Sequence, residues 1–245
     1  MGETLRSERT PYVLATVVRA ERPTSAKTGD RALVLPDGTL EGFVGGGCAE
    51  STVRDQALRL LESGESTLLR ITPGAGSAPM DGLVTVNNPC LSGGTLDVFL
   101  ETVIPPALVH VHGDGPVARA LVDVGRAAGF DARPSGAADP PGPDAAAVVV
   151  ATHGRDEEAI LKAALHAGVP YIGLIASRKR GSAVAASLEH GDRIHTPAGL
   201  DIGARTASEI ALSVLAEILS QRPAPPRPVA GPEPDRAEAH GHCCA

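Results

Sequence analysis

The stretch that most constrains this chain is Gly113-Asp114-Gly115-Pro116-Val117-Ala118, because of what flanks it. Ala107 to Val111 is a short apolar run of strand type, and Pro116 to Ala128 has the pattern of a helix. A G-x-G-x-x-A turn between a strand and a helix lets the backbone approach a pyrophosphate, whose charge the free amides of the helix N-terminus can hold. A purely structural tight turn would carry the same letters. Strand and helix patterns then alternate. Ala145 to Ala151 reads as a buried strand, Asp156 to Ala167 as a helix, Tyr171 to Ala176 as a strand and Arg178 to Leu188 as a helix. Arg193 to Thr196 is a further short strand, and Thr206 to Leu219 a helix opened by a capping box of Thr206 and Glu209. Such alternation implies a parallel sheet, and with the glycine turn a Rossmann-like domain. The acidic residue that would hold a ribose at the end of the second strand is missing. Ser135 stands there, with Asp139 the nearest acid, and Ala137 to Pro143 is too short for a crossover helix. NAD is therefore disfavoured, and another phosphorylated ligand stays open.

The preceding residues have a different rhythm. Tyr12 to Arg19 reads as a strand, and Arg31 to Pro36 with Thr39 to Val44 as a hairpin around Asp37-Gly38. Glu50 to Leu61 reads as a helix with Val53, Ala57, Leu60 and Leu61 on one face, stopped at Gly64. Strands are expected at Thr67–Thr72, Leu83–Asn87 and Thr95–Leu100, with a glycine-containing loop between the first two. Ile104-Pro105-Pro106 interrupts any regular element and marks a boundary. The fold class is therefore α/β: an N-terminal α+β domain over 1–104, a Rossmann-like parallel-sheet domain over 105–221, and a disordered Pro-rich tail over 222–245.

The net charge is −7 and no basic block stands out, which argues against a nucleic-acid partner. No apolar run reaches the length of a membrane span, and the polar first nine residues lack a signal sequence, so a cytoplasmic protein is expected. In that compartment Cys48, Cys90, Cys243 and Cys244 are expected as thiols.

Two glycine loops place a cysteine where it could act. In Gly45-Gly46-Gly47-Cys48, three glycines can form a nest of amides for an anion, and the following helix favours a low-pKa thiolate at Cys48. Such a thiolate suits a metal, sulfur or an oxoanion, while a glycine hinge with a buried Cys is the plainer reading. Asn88-Pro89-Cys90-Leu91-Ser92-Gly93-Gly94 repeats the pattern, or is a plain turn. In the tail, His240, His242, Cys243 and Cys244 form a third group, of a kind that suits Cu(I) or zinc. His110, His112, His153 and His195 read as strand-end or loop residues without zinc-site spacing. No G-x-S-x-G, P-loop or H-E-x-x-H motif is present.

Thr16-Val17-Val18-Arg19, Gly45-Gly46-Gly47-Cys48-Ala49-Glu50 and Gly199-Leu200-Asp201-Ile202-Gly203-Ala204 closely resemble the XdhC/CoxI family, over roughly Tyr12 to Gln221. Arg22-Pro23-Thr24-Ser25 and the Asn88–Gly94 phrase look closest to its carbon monoxide dehydrogenase branch. Many relatives have Cys directly before the second Gly-Gly pair. Here Ser92 stands there and Cys90 two places earlier, whereas Cys48 matches the family pattern. The resemblance implies a maturation factor, an accessory protein rather than an enzyme. It would bind the molybdenum cofactor, a pterin dinucleotide, support its sulfuration, and deliver it to a molybdenum hydroxylase apoenzyme such as xanthine or carbon monoxide dehydrogenase. Gly45, Gly46, Gly47, Cys48 and Cys90 would then belong to the cofactor site, and Gly113 and Gly115 to a pyrophosphate or nucleotide turn. A sulfurtransferase or cysteine desulfurase partner and a homodimer are also expected. The alternatives are an NAD(P)- or flavin-binding oxidoreductase, and a copper or sulfur carrier for a molybdenum–copper site using Cys48, Cys90 and the tail.

Overall fold

The computed structural model describes residues 2–74, 82–88 and 93–221. The expected disordered tail, its His240, His242, Cys243 and Cys244, and Cys90 lie outside the described residues. The chain divides into two compact units, the first ending at Pro105 and the second beginning at Pro106.

The first unit is a six-stranded sheet with one long helix. Its strands are β1 (Tyr12–Glu21), β2 (Arg31–Val34), β3 (Leu40–Gly42), β4 (Thr67–Thr72), β5 (Leu83–Asn87) and β6 (Thr95–Val103). They lie in the order β3-β2-β1-β6-β4-β5, antiparallel except for β4 with β5. Alternation along β1 buries Val13, Ala15 and Val17, and along β6 it buries Leu96, Val98 and Leu100. Helix α2 (Gly47–Ser63) adds Ala49, Val53 and Ala57 to the same core. Gly64 closes α2 in the left-handed conformation, its amide bonded to the Leu60 carbonyl. The sequence pattern starts this helix at Glu50; in the structure it starts three residues earlier, at Gly47, so Cys48 lies within the first turn. A short helix α1 (Gly2–Ser7) has no sequence signal, because Leu5 is its single large apolar residue and sets no apolar period.

The second unit is a doubly wound parallel sheet. Its strands are β7 (Leu108–His112), β8 (Asp131–Ser135), β9 (Ala145–Val150), β10 (Tyr171–Leu174) and β11 (Ile194–His195). They are ordered β11-β10-β9-β7-β8, all parallel. Helices α3 (Pro116–Ala127) and α6 (Ala207–Ser220) bury one face, with Leu121, Val214 and Leu215 against Val109, Val111 and Val149. Helix α4 (Glu157–His166) covers the other through Ile160 and Leu161 against Val148, Val150 and Ile172, and α5 (Arg178–Ala186) adds the partly buried Val184. The capping box at Thr206 and Glu209 forms as its sequence implies. Residues 136–144 join β8 to β9 with no helix between them. No helix among the described residues is long and apolar enough to cross a membrane.

Candidate functional site

The α2 N-terminus opens onto a cavity of about 460 Å³ in the first unit. Gly46 is the N-cap in extended geometry and, having no side chain, leaves the first-turn amides without a side-chain cap. A Cβ built at Gly46 or Gly47 would meet nothing within 4 Å, so both glycines face open space. Cys48 follows them, exposed and lining the same cavity. This is the end of a helix that favours an anion.

The rest of the wall comes from distant segments. Thr24 and Ser25 approach from the loop after β1, Asn88 from the end of β5, and Gly94 from the start of β6. Asn88 ties these together: its Nδ2 donates to the Cys48 carbonyl at 3.0 Å and to Thr52 Oγ1 at 2.9 Å. Thr52 Oγ1 in turn donates to the Cys48 carbonyl at 3.0 Å. Gly94 is required by close approach, since a Cβ there would lie 2.2 Å from the Pro23 carbonyl oxygen. Gly45 has a different place. It is buried at φ +132°, where a Cβ would meet Ala49 Cβ at 3.0 Å, and it does not line the cavity. The spacing of the chain indicated the glycines and Cys48; the Asn88 and Thr52 bracing depends on β5 pairing beside β6's neighbour β4, which no local pattern encodes. Asn88→Ala removes two hydrogen bonds and is expected to cost about 1–3 kcal/mol, read as a lower urea midpoint.

Gly113 and Gly115 lie in the second unit, in the turn from β7 to α3. Gly113 has φ +130°, and a Cβ there would lie 2.4 Å from the Ala151 carbonyl oxygen, so only glycine allows this turn to pack against the end of β9. Gly115 is the N-cap of α3 and has ordinary extended geometry. A Cβ there would meet His153 Nε2 at 3.1 Å, so that imidazole sits beside the turn. Arg155 Nη2 pairs with Asp114 Oδ1 at 2.6 Å, offsetting the carboxylate that the turn itself carries. Ser135, at the position of the missing acid, has its Oγ 2.7 Å from His110 Nδ1, while Asp139 accepts from the Gly136 amide at 2.8 Å.

The loop Gly199–Ala204 has its own fixed frame. Glu217 of α6 accepts from the Gly199 amide at 2.7 Å and from Tyr171 Oη at 2.6 Å, and His195 stacks on Tyr171 with ring centroids 4.6 Å apart. Burial and the Glu217 carboxylate push the Tyr171 phenol far up, so it is a neutral donor. Among the described residues no group of three or more His, Cys, Asp or Glu could hold a metal ion.

Each unit matches a family model of its own. Residues 5–72 match the model described as the XdhC and CoxI family, and residues 109–218 match the XdhC Rossmann domain. The chain belongs to the XdhC and CoxI family. A relative, the uncharacterized protein YqeB of Escherichia coli (strain K12), is 30% identical over 88% of this chain. The chain spans only 44% of YqeB's length. The molybdenum cofactor insertion chaperone PaoD of the same organism is 24% identical over 86% of this chain and 83% of its own. Among solved structures, a xanthine dehydrogenase from Bacillus halodurans is similar at 20% identity and a TM-score of 0.43, over 89% of this chain and 94% of that one. Within the XdhC and CoxI family match, the first model covers Cys48 and its glycines, and the second covers the turn at Gly113.

Proposed function

We propose that this chain is a maturation factor for a molybdenum hydroxylase, carrying the molybdenum cofactor as cargo and delivering it to the apoenzyme. The observation that carries the reading is the joining of an exposed thiol, two side-chain-free glycines and an uncapped helix N-terminus around one cavity. Its volume lies within the roughly 300–1,000 Å³ typical of small-molecule sites. A thiolate is a good ligand for a soft metal or a carrier of sulfur, and first-turn amides suit oxoanion oxygens. Family membership and the likeness to PaoD support the same cargo. Asn88 positions the Cys48 carbonyl, and with it the first turn, so the residues' part is to bind and orient. Delivery to xanthine or carbon monoxide dehydrogenase, support for sulfuration, a sulfurtransferase partner and a dimer are further parts of this proposal.

The turn at Gly113–Gly115 is proposed to hold the phosphates of a nucleotide, supported by the glycine geometry and the Val117 end of α3. Gly115→Val is compatible with the backbone but fills the approach beside His153. It is expected to weaken nucleotide binding by about 1.5–3 kcal/mol, the worth of one hydrogen bond to a charged group, with the melt preserved. Equal affinity in titration calorimetry would move the phosphates elsewhere.

The maturation role is tested by expressing a xanthine dehydrogenase-type apoenzyme with and without this chain. The expected result is a client whose activity and terminal sulfur content rise only in its presence. A client fully active without it, and unaffected by it, would contradict the role.

A further inference from the structure

The loop Gly199–Ala204 lines no part of the Cys48 cavity, yet the second unit fixes its path closely. It follows β11 and runs into the Thr206 cap of α6. Gly199 has φ +105°, and a Cβ there would lie 2.4 Å from Ser213 Oγ, so only glycine lets the chain pass so near α6. The Leu200 amide then donates to the Ser213 carbonyl at 3.2 Å, and the Ile202 amide to the Leu200 carbonyl at 2.9 Å. Glu217 accepts from the Gly199 amide and is itself held by Tyr171 and His195.

What this frame displays is apolar. Leu200 is 42% exposed and Ile202 54%, two large aliphatic side chains presented to water by one short loop. A single exposed aliphatic is ordinary, but a pair on a fixed loop beside a groove marks a contact surface. The groove has a volume of about 330 Å³. The loop lines it with Leu200, Asp201 and Ile202, the segment after β10 with Ile175 and Arg178, and α6 with Ile210. Arg178 and Asp201 are its charged lining residues, one of each sign. They stand 3.7 Å apart with side chains 83% and 88% exposed, so their own pairing contributes little and each is open to another charge.

One patch therefore carries projecting aliphatics, an aliphatic groove, a cation and an anion. A two-fold contact demands this of a surface, because the same residues must serve as both partners. The two charges cancel, so the patch escapes the repulsion that a net charge of −7 sets up between copies.

We propose that this patch binds a second copy of the chain about a two-fold axis. Each loop lays Leu200 and Ile202 in the other's groove and brings Asp201 beside the other's Arg178. The contact is that of the proposed dimer, on whose existence it rests, and it is independent of the Cys48 cargo.

Sedimentation velocity of the full chain across a concentration series tests the contact. Wild type is expected to pass from monomer to dimer as concentration rises. Ile202→Asp places a charge on the displayed surface without touching the Glu217 frame. It should weaken the dimer by about tenfold or more, with the melt of the monomer unchanged. Arg178→Asp and Asp201→Arg each set like charges against one another across the axis, so each alone should remain monomeric. Their equimolar mixture restores opposite charges at both contacts and should dimerise as wild type does. Both positions are exposed, so the mixture reports even if Ile202→Asp does not fold. Undiminished dimer in folded Ile202→Asp, or a mixture no more dimeric than its components, would overturn the contact and place the dimer elsewhere. Wild type that stays monomeric throughout the series would overturn both the contact and the proposed dimer.

Discussion

Cys48→Ser is expected to fold normally and yet leave the client enzyme inactive. Cys48 is exposed at the second position of α2, its carbonyl and not its sulfur takes the Asn88 and Thr52 bonds, and serine matches it closely in size. Stability should therefore change by less than about 0.5 kcal/mol, as at other surface positions. The hydroxyl remains protonated at neutral pH and cannot replace a thiolate as metal ligand or sulfur carrier. Co-expression with the client should give at most a few per cent of wild-type activation, on the order of the loss when a nucleophile or ligand is deleted. Client activity and cofactor content, measured together, distinguish lost delivery from lost sulfuration. Full activation by Cys48→Ser would reduce this residue to packing at a helix end.

The largest expected effect on stability comes from a different part of the first unit. Arg70 of β4 and Asp97 of β6 face one another across the sheet, Nε to Oδ1 at 2.7 Å and Nη2 to Oδ2 at 2.8 Å. Asp97 is 5% exposed, and Arg19 of β1 stands opposite it on its other side. The Arg70 hydrogen bonds hold the Asp97 carboxyl below the usual carboxylate range against the cost of burial, with the Arg70 and Arg19 charges adding to them. Arg70→Ala strands a buried carboxylate and is expected to cost about 3 kcal/mol, the lower end for a broken buried pair because Arg70 itself is partly solvated. Urea unfolding and hydrogen exchange of the β4 and β6 amides would register the loss. Because the folded pKa is depressed, the pair's stabilisation is complete above about pH 4, the unfolded value, and is lost as pH falls through the folded pKa. The stability gap between wild type and Arg70→Ala should therefore close in acid. A gap that is constant with pH would mean that the pair contributes packing and not charge.

Much of the second unit was legible because its signals are local. The apolar run Ala145–Val150, the stop at Gly168 and Pro170, and the Thr206–Glu209 cap each announce an element without reference to distant residues. The glycine turn was readable for the same reason, and so was the absence of a crossover helix over 136–144. What that absence does was not readable. It leaves His112 beneath a loop, and a histidine at a strand end looks the same in sequence whether or not a partner meets it. In the first unit, the glycines and Cys48 stood out by composition, but the helix start did not, since glycine is a poor helix former and only the tertiary frame draws Gly47 into the first turn. Asn88 and the Arg70–Asp97 pair depend on strand pairings between residues far apart in the chain, and so they belong to the fold alone.

The cargo proposed for the Cys48 cavity is the molybdenum cofactor. Native mass spectrometry of the full chain, purified without an affinity tag after co-expression with molybdenum cofactor biosynthesis, tests it most directly. The wild-type protein is expected to carry an added mass equal to the pterin cofactor, absent or strongly reduced on Cys48→Ser. A wild-type protein of bare mass, or equal loading of wild type and Cys48→Ser, would contradict it.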